Sequence, residues 1–200
     1  GLTAEPIATG VTEDAHNHDN DAPDGTADAR SNGDDIARYL NIRSAYGAGF
    51  APDGTPSMLL DTTGTPQIWT LDGPGRWPQQ HTFYDDGVTF ASWSPERTEL
   101  IFGMDEGGNE REQLFRLNPG RGRITPLTRK PAAKHWWGGW APDGERFAFA
   151  SNRREDAVFD IYVQGRDAVG DDAELVYRGD GWYTILGWDP GGERLLVSEA

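Results

Sequence analysis

An aromatic residue stands two positions before a proline at four places in this chain, and each proline opens a tight turn. The four segments are Phe50-Ala51-Pro52, Trp93-Ser94-Pro95, Trp140-Ala141-Pro142 and Trp188-Asp189-Pro190. Their prolines lie 43, 47 and 48 residues apart. Proline fixes φ at the first turn position, and the glycine two places later in three of the copies accepts the positive φ that other residues avoid. A self-similar period of about 40–50 residues is typical of propeller blades.

Positions after each turn repeat as well, and they predict four short strands in each repeat. The seventh residue after each proline is large and apolar, and an apolar residue precedes it. Such runs, bounded by turns, indicate strands buried on both faces between neighbouring sheets. These central buried strands are predicted at residues 58–60, 100–102, 147–150 and 195–197. Third strands are predicted at 67–71, 113–117 and 160–164, and weaker fourth strands at 81–83, 124–128 and 174–177.

These repeats predict an all-β fold, a β-propeller with four-stranded antiparallel blades. Residues 34–200 would form a partial propeller with blades starting near 48, 91, 138 and 186, the last one truncated. The ring is then incomplete and the chain is expected to be a piece of a longer protein, because an unclosed propeller leaves a bare blade face. In an alternative, residues 34–49 supply a closing strand for a small four-bladed ring. A short helix with Asp34 as its cap is expected at residues 34–40.

Residues 1–33 differ in composition from the repeats. They hold seven acids against Arg30 and few large apolar side chains. Such a segment buries too little apolar surface to offset its ordering entropy, so we expect an acidic disordered tail. His16 and His18 stand close together there, but a histidine pair on a disordered segment is usually solvated, and no metal site is assigned.

The balance of charges indicates the environment of the protein. The net charge is -15, only two of the 18 basic residues are lysines, and there is no cysteine. A dispersed acidic surface that keeps arginine over lysine suggests adaptation to high salt, with an ordinary acidic protein as the alternative. No basic patch is evident to meet phosphates, so nucleic acid is not an expected partner. No segment is long and apolar enough to span a membrane and no signal sequence is evident, so the cytoplasm is the default location.

The sequence lacks the common catalytic motifs. There is no Gly-x-Ser-x-Gly elbow, no phosphate-binding Walker loop, no dinucleotide fingerprint and no His-Glu-x-x-His helix. We therefore assign no catalytic residue and no cofactor within residues 1–200, and the substrate-binding residues stay unassigned.

Two polar or aromatic segments have both a structural and a functional interpretation. Residues 105–113 (DEGGNEREQ) are interpreted as a long hairpin between the second and third strands of blade 2, with acids facing solvent or bonding backbone amides. Alternatively, their carboxylates form a general acid and base pair, as in glycosidases. Residues 135–140 (HWWGGW) are interpreted as tryptophans packed between blades, with glycines that allow close approach. Alternatively, this run lines a sugar or peptide site.

The repeats and the hairpin resemble known families. Residues 141–144 (APDG) and 147–154 (FAFASNRR) look like the propeller repeats of Tol-type periplasmic proteins. Residues 105–114 (DEGGNEREQL) resemble the D-x-x-G-x-E-x-x-Q-L segment in the N-terminal propeller of prolyl oligopeptidase family serine peptidases, the acylaminoacyl- and dipeptidyl-peptidase relatives. Residues 36–44 (IARYLNIRS) and the acidic, lysine-poor composition look like haloarchaeal members of that family.

The peptidase resemblance implies a specific function. In that family an N-terminal propeller caps a C-terminal α/β-hydrolase domain with a Ser-Asp-His triad, restricts entry to short peptides and helps to position them. No triad residue has a counterpart here, and Glu110 and Glu112 do not match the paired glutamates of the dipeptidyl relatives. The expected function is therefore substrate gating in a serine peptidase whose catalytic domain is absent from this chain. The alternative is a stand-alone Tol-like propeller that acts as a binding or scaffolding module.

The acidic composition predicts a salt-dependent stability. Screening shortens the range of repulsion between like charges from about 30 Å at 0.01 M salt to about 3 Å at 1 M. We expect the thermal midpoint of unfolding, followed by circular dichroism, to rise steeply between low and molar potassium chloride. A midpoint that does not respond to salt would favour an ordinary acidic protein.

Overall fold

The computed structural model describes residues 43–170 and 172–199. The expected disordered tail, the helix at 34–40 and the tail histidines lie outside the described residues, and the boundary near residue 34 stays a prediction. Residues 45–49, which the alternative used to close a ring, belong instead to the first strand of the first blade.

In the described residues, fourteen strands form three four-stranded antiparallel sheets and one two-stranded sheet, each a consecutive stretch of the chain. Blade 1 contains β1 (Ala45–Phe50), β2 (Pro56–Leu60), β3 (Gln67–Thr70) and β4 (Gln79–Gln80). Blade 2 contains β5 (Val88–Trp93), β6 (Leu100–Met104), β7 (Gln113–Asn118) and β8 (Arg123–Pro126). Blade 3 contains β9 (His135–Trp140), β10 (Arg146–Glu155), β11 (Val158–Gly165) and β12 (Glu174–Tyr177). Blade 4 contains β13 (Tyr183–Trp188) and β14 (Leu195–Glu199).

This arrangement confirms the predicted fold class, a β-propeller of four-stranded antiparallel blades with an incomplete ring in the described residues. The first strands begin about three residues ahead of the expected starts at 48, 91, 138 and 186. One fourth strand was placed wrongly: residues 81–83 follow β4 rather than forming it. The cause is Thr82, whose buried hydroxyl accepts the backbone N–H of Ile68 at 2.8 Å, where a strand would offer a carbonyl.

Three apolar layers lie between consecutive blades, and each draws side chains from both of its neighbours. Phe102 packs with Leu59 and Ile68 of blade 1, whereas Ile101, the residue before it, packs with Phe147 and Phe149 of blade 3. Successive side chains of a strand point to opposite faces, so β6 is apolar on both of its faces because it serves two layers. The third layer joins blades 3 and 4.

In blades 2, 3 and 4, a tryptophan at the end of the first strand forms a hydrogen bond to the preceding blade. The indole Nε1 of Trp93 donates to the Ser57 hydroxyl at 2.7 Å. The indoles of Trp140 and Trp188 donate to the carbonyls of Ser92 and Gly139, both at 3.1 Å. These are the aromatic residues that precede the turn prolines, so the sequence repeat marks a contact between blades as well as a turn. We call these three contacts the tryptophan latches.

The outer faces of the first and last blades are uncovered in the described residues. Phe50 occupies the latch position of blade 1 and is 71% exposed. The prediction of a central buried strand at 195–197 is wrong in one respect: Leu196 of β14 is 65% exposed, although Leu195 and Val197 pack against blade 3. β14 pairs only with β13 among the described strands, so it forms an edge and one face lacks a neighbour.

The latches predict a specific loss of stability in Trp140→Phe. This change keeps an aromatic ring and removes the N–H donor, which deletes the hydrogen bond to the Ser92 carbonyl. We expect the free energy of unfolding, measured by urea titration at high salt, to fall by about 1–3 kcal/mol. Trp77→Phe is the matched control, because Trp77 is 88% exposed, and we expect a change within about 0.5 kcal/mol. Equal losses in the two variants would contradict the latch.

Candidate functional site

The two ends of the blade strands carry different chemistry. The turns from first to second strand and from third to fourth strand lie at one end, which we call the turn end. The hairpins from second to third strand and the connectors to the next blade lie at the other, the hairpin end. In blade 2 the turn end includes residues 94–99 and 118–123, and the hairpin end includes residues 105–112 and 127–134.

Hydrogen bonds within the segment hold the hairpin at 105–112. The Asp105 carboxylate accepts the backbone N–H of Glu110 at 2.7 Å, and Asn109 accepts that of Arg111 at 2.8 Å. Glu110 has a φ of 58°, the only positive φ of a non-glycine residue in the part of the chain that the structure describes. The N–H of Gly107 donates to the Asp86 carboxylate at 3.0 Å, which ties the hairpin to the connector from blade 1. The interpretation of this segment as a hairpin is therefore correct.

Gln113, at the start of β7, fixes the hairpin to the connector toward blade 3. Its amide nitrogen donates to the carbonyls of Lys130 and Ala133 at 3.0 Å, and its oxygen accepts the Thr128 hydroxyl at 3.0 Å. Gln67 does the same in blade 1, where it donates to the carbonyls of Tyr84 and Asp86. The polar residue that opens the third strand therefore anchors the chain where it passes to the next blade.

Glu112 is the acid of this hairpin that is drawn toward the first strands. Its carboxylate accepts a hydrogen bond from the hydroxyl of Thr89 on β5. A side chain at Gly103 would collide with it, because a Cβ there would lie 2.5 Å from the Glu112 carboxyl carbon and 2.4 Å from the Phe90 ring. Burial raises the pKa of Glu112, and the nearby Asp105 acts in the same direction. A desolvated carboxyl of this kind is a candidate functional group, although burial in a structural contact has the same effect.

Two further hairpin carboxylates, those of Asp105 and Glu110, are engaged in contacts within or next to the segment. Asp105 accepts the Glu110 amide, and Glu110 lies 3.4 Å from the Lys134 ammonium. These contacts support the structural interpretation of the cluster over the acid and base pair.

His135 begins β9 directly below the hairpin and is fully buried. Its Nδ1 lies 2.9 Å from the backbone carbonyl of Glu112, which assigns the proton to Nδ1, and Nε2 has no hydrogen-bond partner among the described residues. Burial lowers the pKa of His135 to about 4, and the charge of Arg153 contributes to the lowering. The imidazole is therefore neutral at pH 7, and its burial keeps a substrate away from it.

The tryptophans of residues 135–140 are packing groups, as the structural interpretation predicted. Trp137 stacks on Phe90 of blade 2 with ring centroids 5.5 Å apart, and Trp136 stacks on Phe159 at 3.7 Å. The glycines allow close approach: a Cβ at Gly138 would lie 2.4 Å from Ile185 of blade 4. These rings therefore belong to the layers between blades.

The turn end contains a feature that sequence reasoning missed, a cavity of about 540 Å³ between blades 2 and 3. Five arginines contribute to its lining: Arg97, Arg116, Arg121, Arg123 and Arg166. The expectation that the surface has no basic patch is therefore corrected at this place. The five positions are spread over 70 residues of an acidic chain, so no local run of basic residues signals the cluster. Only the return of the chain through two blades brings them together.

Neither a metal site nor a membrane-spanning helix is found in the part of the chain that the structure describes. Within residues 43–170 and 172–199, no group of three or more His, Cys, Asp or Glu side chains is arranged to hold a metal ion. No helix in the same residues has the length and apolar character that a membrane crossing requires.

Comparison with solved structures shows the same fold. TolB from Acinetobacter baumannii is 15% identical, with a TM-score of 0.58 over 77% of this chain and 37% of its own. A prolyl endopeptidase is 11% identical, with a TM-score of 0.63 over 84% of this chain and 28% of its own. An acylaminoacyl peptidase in complex with Z-Gly-Gly-Phe-chloromethyl ketone is 13% identical, with a TM-score of 0.51 over 76% of this chain and 28% of its own.

These likenesses establish the propeller fold of this chain and do not establish its function. The chain spans 28–37% of the length of these three proteins. No protein-family model matches the sequence, and no curated protein matches it significantly.

The lowered pKa of His135 predicts an acid-dependent stability. The unfolded chain takes up a proton on this histidine below pH 6.5, whereas the folded chain does so only near pH 4. Its contribution to stability is therefore full above pH 6.5 and is lost as the pH falls toward 4, by about 3 kcal/mol in total.

The measurement is the free energy of unfolding of the unmodified protein and His135→Phe across this pH range. We expect the variant to lose less stability on acidification than the unmodified protein. Carboxylates with lowered pKa values, such as Asp53 and Asp189, are present in both proteins and cancel in the difference. Equal slopes would show that folding does not lower the pKa of His135.

Proposed function

We propose that this chain is the substrate-gating propeller of a serine peptidase that hydrolyses short peptides. Hydrolysis is assigned to an α/β-hydrolase domain that residues 1–200 do not contain. The propeller acts as a partner of that domain and decides which peptides reach it.

The hairpin at 105–112 is the observation that carries this proposal. Positions that match the peptidase pattern are those that build the hairpin: Asp105 accepts the Glu110 amide, and Gln113 anchors the segment to the next connector. The residues that match the peptidase pattern therefore have defined structural tasks. A chance match of polar residues would not require such tasks.

The geometry of a propeller suits a gate for short chains. The first strand of each blade lies nearest the axis, so a closed ring leaves a narrow passage bounded by these strands. Short extended peptides fit such a passage, whereas folded chains do not. The acylaminoacyl peptidase that shares the fold is complexed with a peptide chloromethyl ketone, which indicates the substrate class that we assign here.

The described histidines support a catalytic group outside this domain. A serine peptidase needs a nucleophile beside a base that is open to the substrate. His135 is buried, and the hydroxyl that His81 Nε2 contacts at 2.7 Å belongs to Thr70, which is only 3% exposed. Neither histidine forms a hydrogen bond with a serine in the described residues, so neither is assigned as the base.

A comparison of residues 1–200 with the product of the complete reading frame tests the proposal. We expect the longer protein to hydrolyse aminoacyl or acylaminoacyl p-nitroanilides and to lose this activity when a phosphonate labels a serine outside residues 1–200. Residues 1–200 alone should show neither cleavage nor labelling. A reading frame that ends at Ala200, or one that lacks a Gly-x-Ser-x-Gly elbow beyond it, would refute the assignment.

Gating has its own readout in the longer protein. Peptides of increasing length that share one scissile sequence should be cleaved with a kcat/KM that falls steeply once they exceed a few residues. A kcat/KM that is independent of peptide length would show that the propeller does not gate substrate entry. The matched comparison measures this length dependence of kcat/KM in Glu112→Gln and in Glu106→Gln. Glu112 is hydrogen-bonded near the first strands, whereas Glu106 is exposed and serves as the control.

A binding or scaffolding module is the second candidate. It is favoured by the likeness to TolB, which covers most of this chain, and by the APDG turn repeats. An intact reading frame that contains only propeller blades would select this function.

A further inference from the structure

The cavity at the turn end is built from two consecutive blades. Arg97 comes from the turn between β5 and β6, Arg116 from β7, and Arg166 from the segment that follows β11 of blade 3. Arg97 pairs with Glu145 of blade 3, and this ion pair links the two blades next to the cavity. The arginines therefore sit where two blades meet and are held in place by both.

The floor of the cavity holds two fixed guanidinium groups. Glu99, whose side chain is 8% exposed, lies between them: Arg166 Nη1 donates to it at 3.0 Å, and Arg116 Nε lies 4.0 Å away. Arg116 also donates to the carbonyl of Arg166 at 2.7 Å and to Asp167 at 2.8 Å. Because these contacts fix both side chains, binding of a ligand would cost little further ordering entropy.

The rim presents two guanidinium groups that have no partner among the described residues. Arg121 and Arg123 are exposed, and their side chains form no hydrogen bond or ion pair with any described residue. A short 3-10 turn, Pro119–Arg121, presents them; the Asn118 side chain accepts the N–H of Arg121 at 3.1 Å, and Gly122 supplies a φ of 60°. The turn therefore holds the backbone of both arginines at the cavity mouth.

The charges of the lining do not balance. Five arginines line the cavity against two carboxylates, those of Glu99 and Asp167, and Glu145 neutralises one further charge at the side. An excess of about two positive charges remains in a chain with a net charge of -15. Like charges placed together repel one another unless an anion offsets them.

We infer that this cavity binds a small ligand that carries at least two oxyanion charges, a phosphate ester or a polycarboxylate. Guanidinium groups bind both kinds of oxyanion through paired hydrogen bonds. The volume of about 540 Å³ suits a small molecule. A long polyanion such as nucleic acid is disfavoured, because the surrounding surface is strongly acidic. This site lies at the opposite end of the strands from the hairpin and does not rest on the proposed function.

Titration calorimetry with two probes, pyrophosphate and citrate, tests the site. All proteins are measured at the lowest potassium chloride concentration that keeps them folded by circular dichroism. The test variant is Arg121→Gln/Arg123→Gln, which removes the two rim charges without touching the paired floor. The matched control is Arg76→Gln/Arg129→Gln, which makes the same change of charge at two exposed arginines outside the cavity.

We expect at least one probe to bind the unmodified protein with one site per chain. Loss of two charged hydrogen-bonding groups should weaken that binding by about tenfold or more in the rim variant, and the control should change it less than about twofold. Stronger binding of pyrophosphate would identify a phosphate-bearing ligand, and stronger binding of citrate a carboxylate. Absence of binding by both probes, or equal weakening in the two variants, would overturn the inference.

Discussion

The contact between consecutive blades is the interaction on which the rest of this structure depends. No blade has a core of its own, because a single four-stranded sheet has nothing to bury its faces against. Ile101 and Phe102 are neighbours in the chain yet belong to different layers, so β6 is stable only with blades on both sides. The tryptophan latches then fix each blade to the one before it. Where the described residues include no neighbouring blade, as at Phe50 and Leu196, the same positions are exposed apolar surface.

This dependence separates the scaffold from the sites. Residues of the central strands are committed to the layers, so chemically active side chains are confined to the two ends of the strands. In the hairpin at 105–112 most of these side chains are acids, and their contacts hold the hairpin in place. The hydrogen bond from Thr89 also restricts the side chain of Glu112. At the turn end arginines gather around Glu99. The acids of the hairpin at 105–112 and the arginines around Glu99 thus lie at opposite ends of the strands of blade 2.

Sequence patterns predicted the parts of the fold that repeat. The turn prolines, the apolar pairs seven residues later and the polar residue that opens the third strand each recur, so a single misleading copy could not shift the pattern. The errors fall where a tertiary contact replaces a local rule. Thr82 supplies a side-chain acceptor and ends β4 early, and Leu196 is apolar for a neighbour that the described residues do not include. The hairpin was also predicted correctly, because its acids and glycines are adjacent in the chain.

The sequence by itself determined the turns and the strands that follow them, because these are encoded by residues a few positions apart, and the recurrence of that local pattern gave the period. It favoured a packing role for the tryptophans of residues 135–140 but left a binding role open. It could not reveal that the latch tryptophans bond the preceding blade, that His135 is buried enough to hold its pKa near 4, or that five arginines share one cavity. Those properties arise between residues that are 23 to 69 positions apart in the chain. Burial and electrostatic potential are sums over neighbours in space, and only the tertiary structure decides which residues those neighbours are.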